Sequence, residues 1–312
     1  MNVSIVVVPR EKVSMSVPML ESIWPTIDDN DQVIIQLYDG KELRDSEIFK
    51  KFKNKENTKI LLHNEFKTPH GLRQNAIQYV KNEWVVFCDN DVDFRPDWLT
   101  ELKKRMDEDD VEVICPLIFI GPPFYELIHH AGGYLYTDGQ IVSDAHRLSN
   151  QHISSLKVRN SLGSEEYRYC DSGEFHCIAV KKTAFDKGVI LPEVMITRDH
   201  LDFALQCREL EIKVGFCAKS WVMYQAKTPF TKVDLKYHIQ RWDHESVEAS
   251  VSYIKRKWGL DCRFFYPIEI WVRFHRELPF TFNSNRYTRF LMKLVPRPIR
   301  RVFWRIVDGC AP

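Results

Sequence analysis

The 312-residue chain lacks several features that would sort it quickly. No run of roughly 18 apolar residues occurs, so no membrane-spanning helix is expected. Eight cysteines are present, but none has Cys-x-x-Cys spacing, and several lie in apolar stretches. They read as reduced core residues of a cytosolic protein, not as a disulfide framework or zinc site. An excess of one charge is missing too. The balance of 44 Lys and Arg against 43 Asp and Glu gives a net charge of +1, which argues against a nucleic-acid partner. The start lacks a charged leader followed by a long apolar segment, so no signal peptide is expected. There is no internal repeat and no low-complexity run. With 44% hydrophobic and 12% aromatic residues, the chain has enough apolar material for a sizeable core.

The most informative stretch is Phe87-Cys88-Asp89-Asn90-Asp91-Val92-Asp93, followed by Pro96-Asp97-Trp98-Leu99. Trp84-Val85-Val86-Phe87 reads as a fully buried parallel strand. It runs straight into three carboxylates at alternate positions. Unpaired charge is too costly to bury, so these groups must meet solvent or a cation. In open α/β sheets the carboxyl ends of the strands are where ligands bind. A pair of hard oxygen ligands there suits Mg²⁺ or Mn²⁺ carrying a phosphate-bearing substrate.

The pattern along the first third is βαβαβαβ. Strands are expected at Val3–Val8, Gln32–Tyr38, Thr58–His63 and 84–88. Helices are expected at Val17–Ile27, Ser46–Phe52 and Gly71–Val80. This predicts a mostly parallel, Rossmann-like sheet with helices on its faces. A helix at Trp98–Asp107 and a strand at Val111–Pro116 follow. Residues 118–174, rich in Gly, His, Tyr and Ser, read as irregular structure and short strands over the open sheet edge. Further strands are expected at Phe175–Val180, Val214–Cys217 and Trp221–Tyr224, with a helix at Leu201–Leu210. Beyond about 230 the chain becomes helical, aromatic and basic.

Four blocks in order resemble a family-two glycosyltransferase of the GT-A fold over roughly residues 3 to 225. They are Val3 to Arg10, Leu37-Tyr38-Asp39-Gly40, Gly71-Leu72-Arg73-Gln74-Asn75-Ala76, and Phe87 to Leu99. The resemblance implies a GT-A catalytic domain at 1–228, divided into a nucleotide-sugar-binding half (1–116) and an acceptor-side half (117–228). A helical extension would occupy 229–312. It also implies transfer of a sugar from a nucleotide-sugar, with a UDP-sugar as the first expectation and GDP- and dTDP-sugars open. Mn²⁺ or Mg²⁺ would be held by Asp89 and Asp91, with Asp91 as the direct ligand. Asp89 would act through water or contact the ribose, beside Asn90. Asp39 would meet the base or ribose, unless it only begins a turn before Gly40. Arg73 would place its guanidinium on a phosphate. Pro9, Arg10 and Glu11 lie just past the first strand and would face the same edge.

An inverting transferase needs a base for the acceptor hydroxyl. The candidate segment, Thr197-Arg198-Asp199-His200-Leu201-Asp202-Phe203, is similar to a subgroup reading Glu-His-x-Asp-Phe. The base is then Asp199 or His200, with Asp202 orienting its neighbours. Gly173-Glu174-Phe175-His176-Cys177 also resembles that subgroup. It offers His176 to the donor phosphate or the acceptor, or as a hydrogen-bonded core residue. His129 and His130 are adjacent on a predicted strand and point opposite ways, so they do not chelate as a pair. No metal role is expected for them, and their expected place is the acceptor side. Trp221 to Gln225 supplies no histidine ligand after the last core strand, which leaves metal ligation to the Asp-x-Asp pair.

Residues 286–306 carry seven Lys or Arg, no acidic residue, and interleaved aromatics. This suggests peripheral contact with the inner face of an anionic membrane and a glycan or glycolipid acceptor. Two rival readings remain. A nucleotidyltransferase would show a Gly-rich basic loop after the first strand, whereas Val8 to Lys12 has no glycine. A non-catalytic nucleotide- or glycan-binding module would have a decayed acidic motif, whereas Asp89 and Asp91 are both present.

Overall fold

The computed structural model describes residues 1–280, apart from 11, 109, 123–125, 165–167, 227–229 and 263–266, together with 296 and 299. The segment 286–306 and Glu11 therefore lie outside the described residues, save for 296 and 299. The strands are β1 (Val3–Val8), β2 (Gln32–Tyr38), β3 (Thr58–His63), β4 (Trp84–Asp89), β5 (Val92–Phe94), β6 (Val113–Ile120), β7 (Ile128–His130), β8 (Gly133–Asp138), β9 (Ile141–His146), β10 (Tyr169–Cys170), β11 (Cys177–Lys181), β12 (Val214–Tyr224) and β13 (Asp261–Cys262). The helices are α1 (Ser16–Ile23), α2 (Lys41–Asp45), α3 (Glu47–Asn54), α4 (Pro69–Ile77), α5 (Trp98–Met106), α6 (Leu156–Leu162), α7 (Lys182–Asp186), α8 (Asp199–Glu209), α9 (Lys232–Arg241), α10 (His244–Trp258) and α11 (Ile268–Glu277).

The main sheet has the order β10-β12-β6-β11-β4-β1-β2-β3. Its first half, β3-β2-β1-β4, is parallel throughout, as the βαβ pattern predicts. In the second half β11 runs antiparallel between β4 and β6, while β12 returns parallel to β6. The two short strands expected at 214–217 and 221–224 are one continuous β12. Lys219 and Ser220 interrupt its apolar run, but the pairing with β6 continues through a register shift between Cys217 and Trp221. A smaller sheet, β13-β9-β8, takes β8 and β9 from the region where short strands were expected and β13 from beyond it.

Alternation along β1 and β4 places an apolar layer on each face of the sheet. Val3, Ile5, Val7, Trp84, Val86 and Cys88 pack with α1, α3 and α5. Val6, Val8, Val85 and Phe87 pack with Leu72 and Ala76 of α4. Continuing the period of two, Asp89 emerges on the α4 side. Trp98, buried at the start of α5, donates its indole N–H to Thr26 at 2.8 Å and fixes the chain after Pro96. The seven described cysteines are free and buried. No helix among the described residues is long and apolar enough to cross a membrane.

Residues after 229 are fastened to the sheet. Asp234 of α9 accepts from the amide and hydroxyl of Ser14 at 2.8 and 2.7 Å and completes a capping box with Thr231. Tyr237 donates its hydroxyl hydrogen to the Pro9 carbonyl at 3.2 Å.

Candidate active site

Four segments meet at the carboxyl ends of β1 and β4. Helix α4 begins with Thr68 as its N-cap, accepting from the Gly71 amide at 3.0 Å, and with Pro69 in its first turn. His70 and Arg73, three residues apart, share the face turned toward β4. Both are buried. The Arg73 guanidinium bonds Asp89 Oδ1 through Nη2 and Asp199 Oδ2 through Nη1, the latter at 3.2 Å, and it stacks over Phe175. One arginine thus joins the acidic motif to the start of α8. The cation beside the buried carboxylate of β4 on this side is a guanidinium.

Asp89 is fully buried, and Arg10 Nη1 lies 3.5 Å from its Oδ2. Burial pushes its carboxyl above the ordinary value, opposed by Arg73 and Arg10. Asp91 is also buried, and its carbonyl accepts from the Gln225 amide at 2.8 Å. Asn90, expected at the ligand, turns its amide inward. Its Oδ1 accepts from the Arg10 amide at 3.0 Å, and its Nδ2 donates to the Lys12 carbonyl and the Ser16 hydroxyl at 2.8 and 2.9 Å. The loop that presents Pro9 and Arg10 is therefore pinned to the acidic motif. Asp93 is half-buried beside Arg95 at 4.0 Å, on β5 against β12.

Asp39 follows β2, pairs with Arg44 at 3.2 Å, and lines a cleft of about 600 Å³. Tyr38, Phe66 and Tyr237 provide aromatic walls, with the rings of Tyr38 and Tyr237 4.8 Å apart. Helix α9 closes this cleft, so residues beyond the expected catalytic unit form one wall of it. Asp89 and Asp91 do not line it.

Asp199 opens α8 after Arg198, which adopts a left-handed φ of 57°. Burial alone would raise its carboxyl. The adjoining His200 and the permanent charge of Arg73 instead hold it well below the ordinary range, and the helix N-terminus favours the same state. His70, 3.4 Å from Asp199, is driven by burial to about 3 and stays neutral. His200 Nδ1 lies 3.8 Å from the other Asp199 oxygen.

The structure separates Asp202 from this group. Its buried carboxylate accepts from Gln206 at 2.8 Å, Trp258 Nε1 at 2.7 Å and Lys257 at 3.1 Å, so it fastens α10 to α8. The reason is its partners: Lys257 and Trp258 at the end of α10 take up the carboxylate, although it is only three residues from Asp199.

His176, at the entry to β11, is the node that sequence reasoning left most open. Arg10 Nη1 lies 2.8 Å from its Nδ1 and closer still to its Nε2. Glu174 Oε2 lies 3.1 Å from Nδ1. Burial first, then Arg10, lowers the imidazole to about 3. Glu174 is held well below the ordinary range; burial opposes this, and the charge of His129 outweighs it. His70, Glu174, His129 and the buried Lys12 were not singled out as site residues by the sequence. The same-face spacing of His70 and Arg73 was the one readable signal among them.

Residues 18–163 match the sequence model of glycosyl transferase family 2. No curated protein sequence matches the chain. Among solved structures, the chain is similar to GalNAc-T7 with UDP, GalNAc and Mn²⁺, at TM-score 0.54 and 13% identity over 88% of this chain. It spans 54% of that protein. It is also similar to TarS 1-349 of S. aureus in complex with UDP-GlcNAc, at TM-score 0.51 and 12% identity, covering 84% of this chain and 74% of that one. The mannosyltransferase PcManGT from Pyrobaculum calidifontis, in complex with GDP-Man and Mn²⁺, matches at TM-score 0.51 and 10% identity, over 99% of this chain and 83% of the other. At these identities the likeness is one of fold. The chain has the fold of the GT-A glycosyltransferase structures, and residues 18–163 of it match the glycosyl transferase family 2 model.

Proposed function

We propose that the protein transfers a sugar from a nucleoside-diphosphate sugar to a hydroxyl of a glycan or lipid-linked acceptor, with inversion at the anomeric carbon. One observation supports this above the others: Arg73 lies against both Asp89, at the end of β4, and Asp199, at the start of α8. A displacement requires the leaving group and the attacking hydroxyl to be held in one geometry. Here the carboxylates suited to the two halves share one buried side chain.

The donor's base and ribose would occupy the cleft beside Asp39, against the walls formed by Tyr38, Phe66 and Tyr237. The structures it resembles hold UDP-GlcNAc, UDP or GDP-Man, so UDP-sugars are the first donors to test and GDP-sugars the second. The donor set at the diphosphate fits a divalent ion. Asp89 Oδ2 is buried and accepts no hydrogen bond, Asp91 is buried two residues on, and both offer hard oxygen. Asp91 would ligate directly, and Asp89 would act through water or on the ribose. When bound, Mn²⁺ or Mg²⁺ supplies charge neutralisation and Lewis acidity to the departing diphosphate. Arg10 adds a fixed positive charge at the same end. Asp199, ionised near neutral pH, would take the acceptor proton, held in place by Arg73 and His70. His200 is the second candidate base. Peripheral membrane contact through 286–306 would bring a lipid-linked acceptor to this edge.

The test is a thermal-shift panel of nucleotide-sugars with Mn²⁺ on wild type and Asp91→Ala, followed by transfer assays on Asp199→Asn and His200→Asn. A ligand at about a hundredfold excess over Kd adds about 2.7 kcal/mol. The expected result is a metal-dependent shift with one donor that is lost in Asp91→Ala, and loss of transfer in Asp199→Asn with donor binding kept. A shift indifferent to metal and to Asp91 would overturn the metal–diphosphate reading.

A further inference from the structure

Beside the candidate donor site lies a second cluster with the chemistry of a metal centre. His129 on β7, and Glu174 and His176 just before β11, converge from two separate segments. Glu174 Oε2 lies 2.9 Å from His129 Nε2 and 3.1 Å from His176 Nδ1, and the three atoms all fall within 4.8 Å of one another. His146, at the end of β9, puts its Nε2 3.7 Å from the other Glu174 oxygen. Despite the short separations, Glu174 Oε2 and His129 Nε2 are buried and neither makes a hydrogen bond. Closely spaced buried donor atoms that satisfy no hydrogen bond among themselves are the kind of group a shared ion would satisfy.

We infer that His129, Glu174 and His176 form a binding site for a divalent transition-metal ion of the Zn²⁺ class, separate from the Asp89–Asp91 pair. Two imidazoles and one carboxylate favour Zn²⁺, Co²⁺ or Fe²⁺ over Mg²⁺, whose preference is for oxygen alone. Three protein ligands leave a coordination position open. The divergence of His129 and His130 along β7 is no obstacle, because the partners of His129 come from the other segment. Arg10 bears on the site directly. Its Nη1 contacts the His176 ring and lies 3.5 Å from Asp89 Oδ2, so the guanidinium must move toward Asp89 when an ion enters. The site stands on this donor set alone and does not depend on the sugar-transfer reading.

The experiment is a Co²⁺ titration of the metal-stripped full chain near neutral pH, read by visible d–d absorption and by equilibrium dialysis. Expected is uptake of one Co²⁺ with the intense bands of four- or five-coordination, retained in Asp91→Ala. Glu174→Gln and His129→Asn should each weaken it by more than about a hundredfold, since losing even an outer-shell partner costs up to that much. Arg10→Ala, which removes a competing cation, should tighten it. His129 is partly exposed, so His129→Asn carries the test if Glu174→Gln fails to fold. No uptake by the folded wild type would overturn the proposal. So would uptake that disappears in Asp91→Ala, or that survives unchanged in both Glu174→Gln and His129→Asn.

Discussion

The two halves of the main sheet each end in a buried carboxylate, and they balance it differently. In the parallel half, Asp89 lies between Arg73 and Arg10, whose charge is permanent. In the mixed half, Glu174 lies among His129, His146 and His176, which carry charge only when protonated. The first arrangement is insensitive to pH over the ordinary range. The second offers imidazole nitrogens in place of permanent charge, the donors a transition-metal ion prefers. Arg10 touches both ends, so the halves are coupled through one side chain.

The sharpest way to break this contrast is Arg73→Ala. Removing one partner of a buried ion pair costs about 3–5 kcal/mol, and here two carboxylates lose their shared cation. Urea unfolding should show the midpoint falling by that measure, and Asp89→Asn in the same background should recover part of it. If Arg73→Ala unfolds like wild type, the guanidinium is not what holds the parallel half.

Acidification probes the histidine next to the same pair. The unfolded chain binds a proton at His70 near the ordinary 6.5, whereas the folded chain does so only at about 3. Its contribution to stability is therefore complete above 6.5 and is lost as pH falls between those values. The slope is at most about 1.4 kcal/mol per pH unit for one group. Asp199 and Glu174, held below their ordinary range, add nothing to this slope until pH falls below the unfolded carboxylate values. Chemical denaturation across pH should show His70→Gln flattening the decline between about 6.5 and 4.5.

Asn90→Ala should cost about 1–3 kcal/mol, because it leaves the Arg10 amide and the Lys12 carbonyl without their buried partner. The same variant should raise the donor Kd in calorimetry more than the stability change alone predicts, since Pro9 and Arg10 lose their anchor. The smallest expected effect is Tyr237→Phe, about 1 kcal/mol or less for the bond to the Pro9 carbonyl. That variant separates the aromatic wall, which it keeps, from the loop contact, which it removes.

Sequence reasoning succeeded where one local pattern carries the information. Val3–Val8 and Trp84–Asp89 are continuous apolar runs with the acidic motif at the correct end, and both are strands in the parallel half. It failed where a feature depends on a partner far along the chain. The apolar run of β11 gives no sign that the strand enters antiparallel between β4 and β6. Asn90 belongs by motif to the ligand edge, yet its amide bonds run to residues 10, 12 and 16, which no spacing rule connects to it. Asp202 was placed with the base because it shares a helix with Asp199; its partners, Lys257 and Trp258, lie more than fifty residues on. Glu174 was visible in sequence only as a neighbour of His176, because the histidine that meets it from across the sheet is on β7.

The bond between Ser14 and Asp234 also bears on the order in which the protein is made. A ribosome releases the chain from its beginning, so β1 to β4 emerge early, and domains generally fold as they appear. The loop after β1 receives its last two restraints only when α9 leaves the exit tunnel, more than two hundred residues later. A nascent chain paused before residue 231 can hold its parallel strands yet lacks the helix that closes the cleft beside Asp39. The cleft beside Asp39 thus takes its final form only after α9 has been made, well after the strand that supplies its first wall.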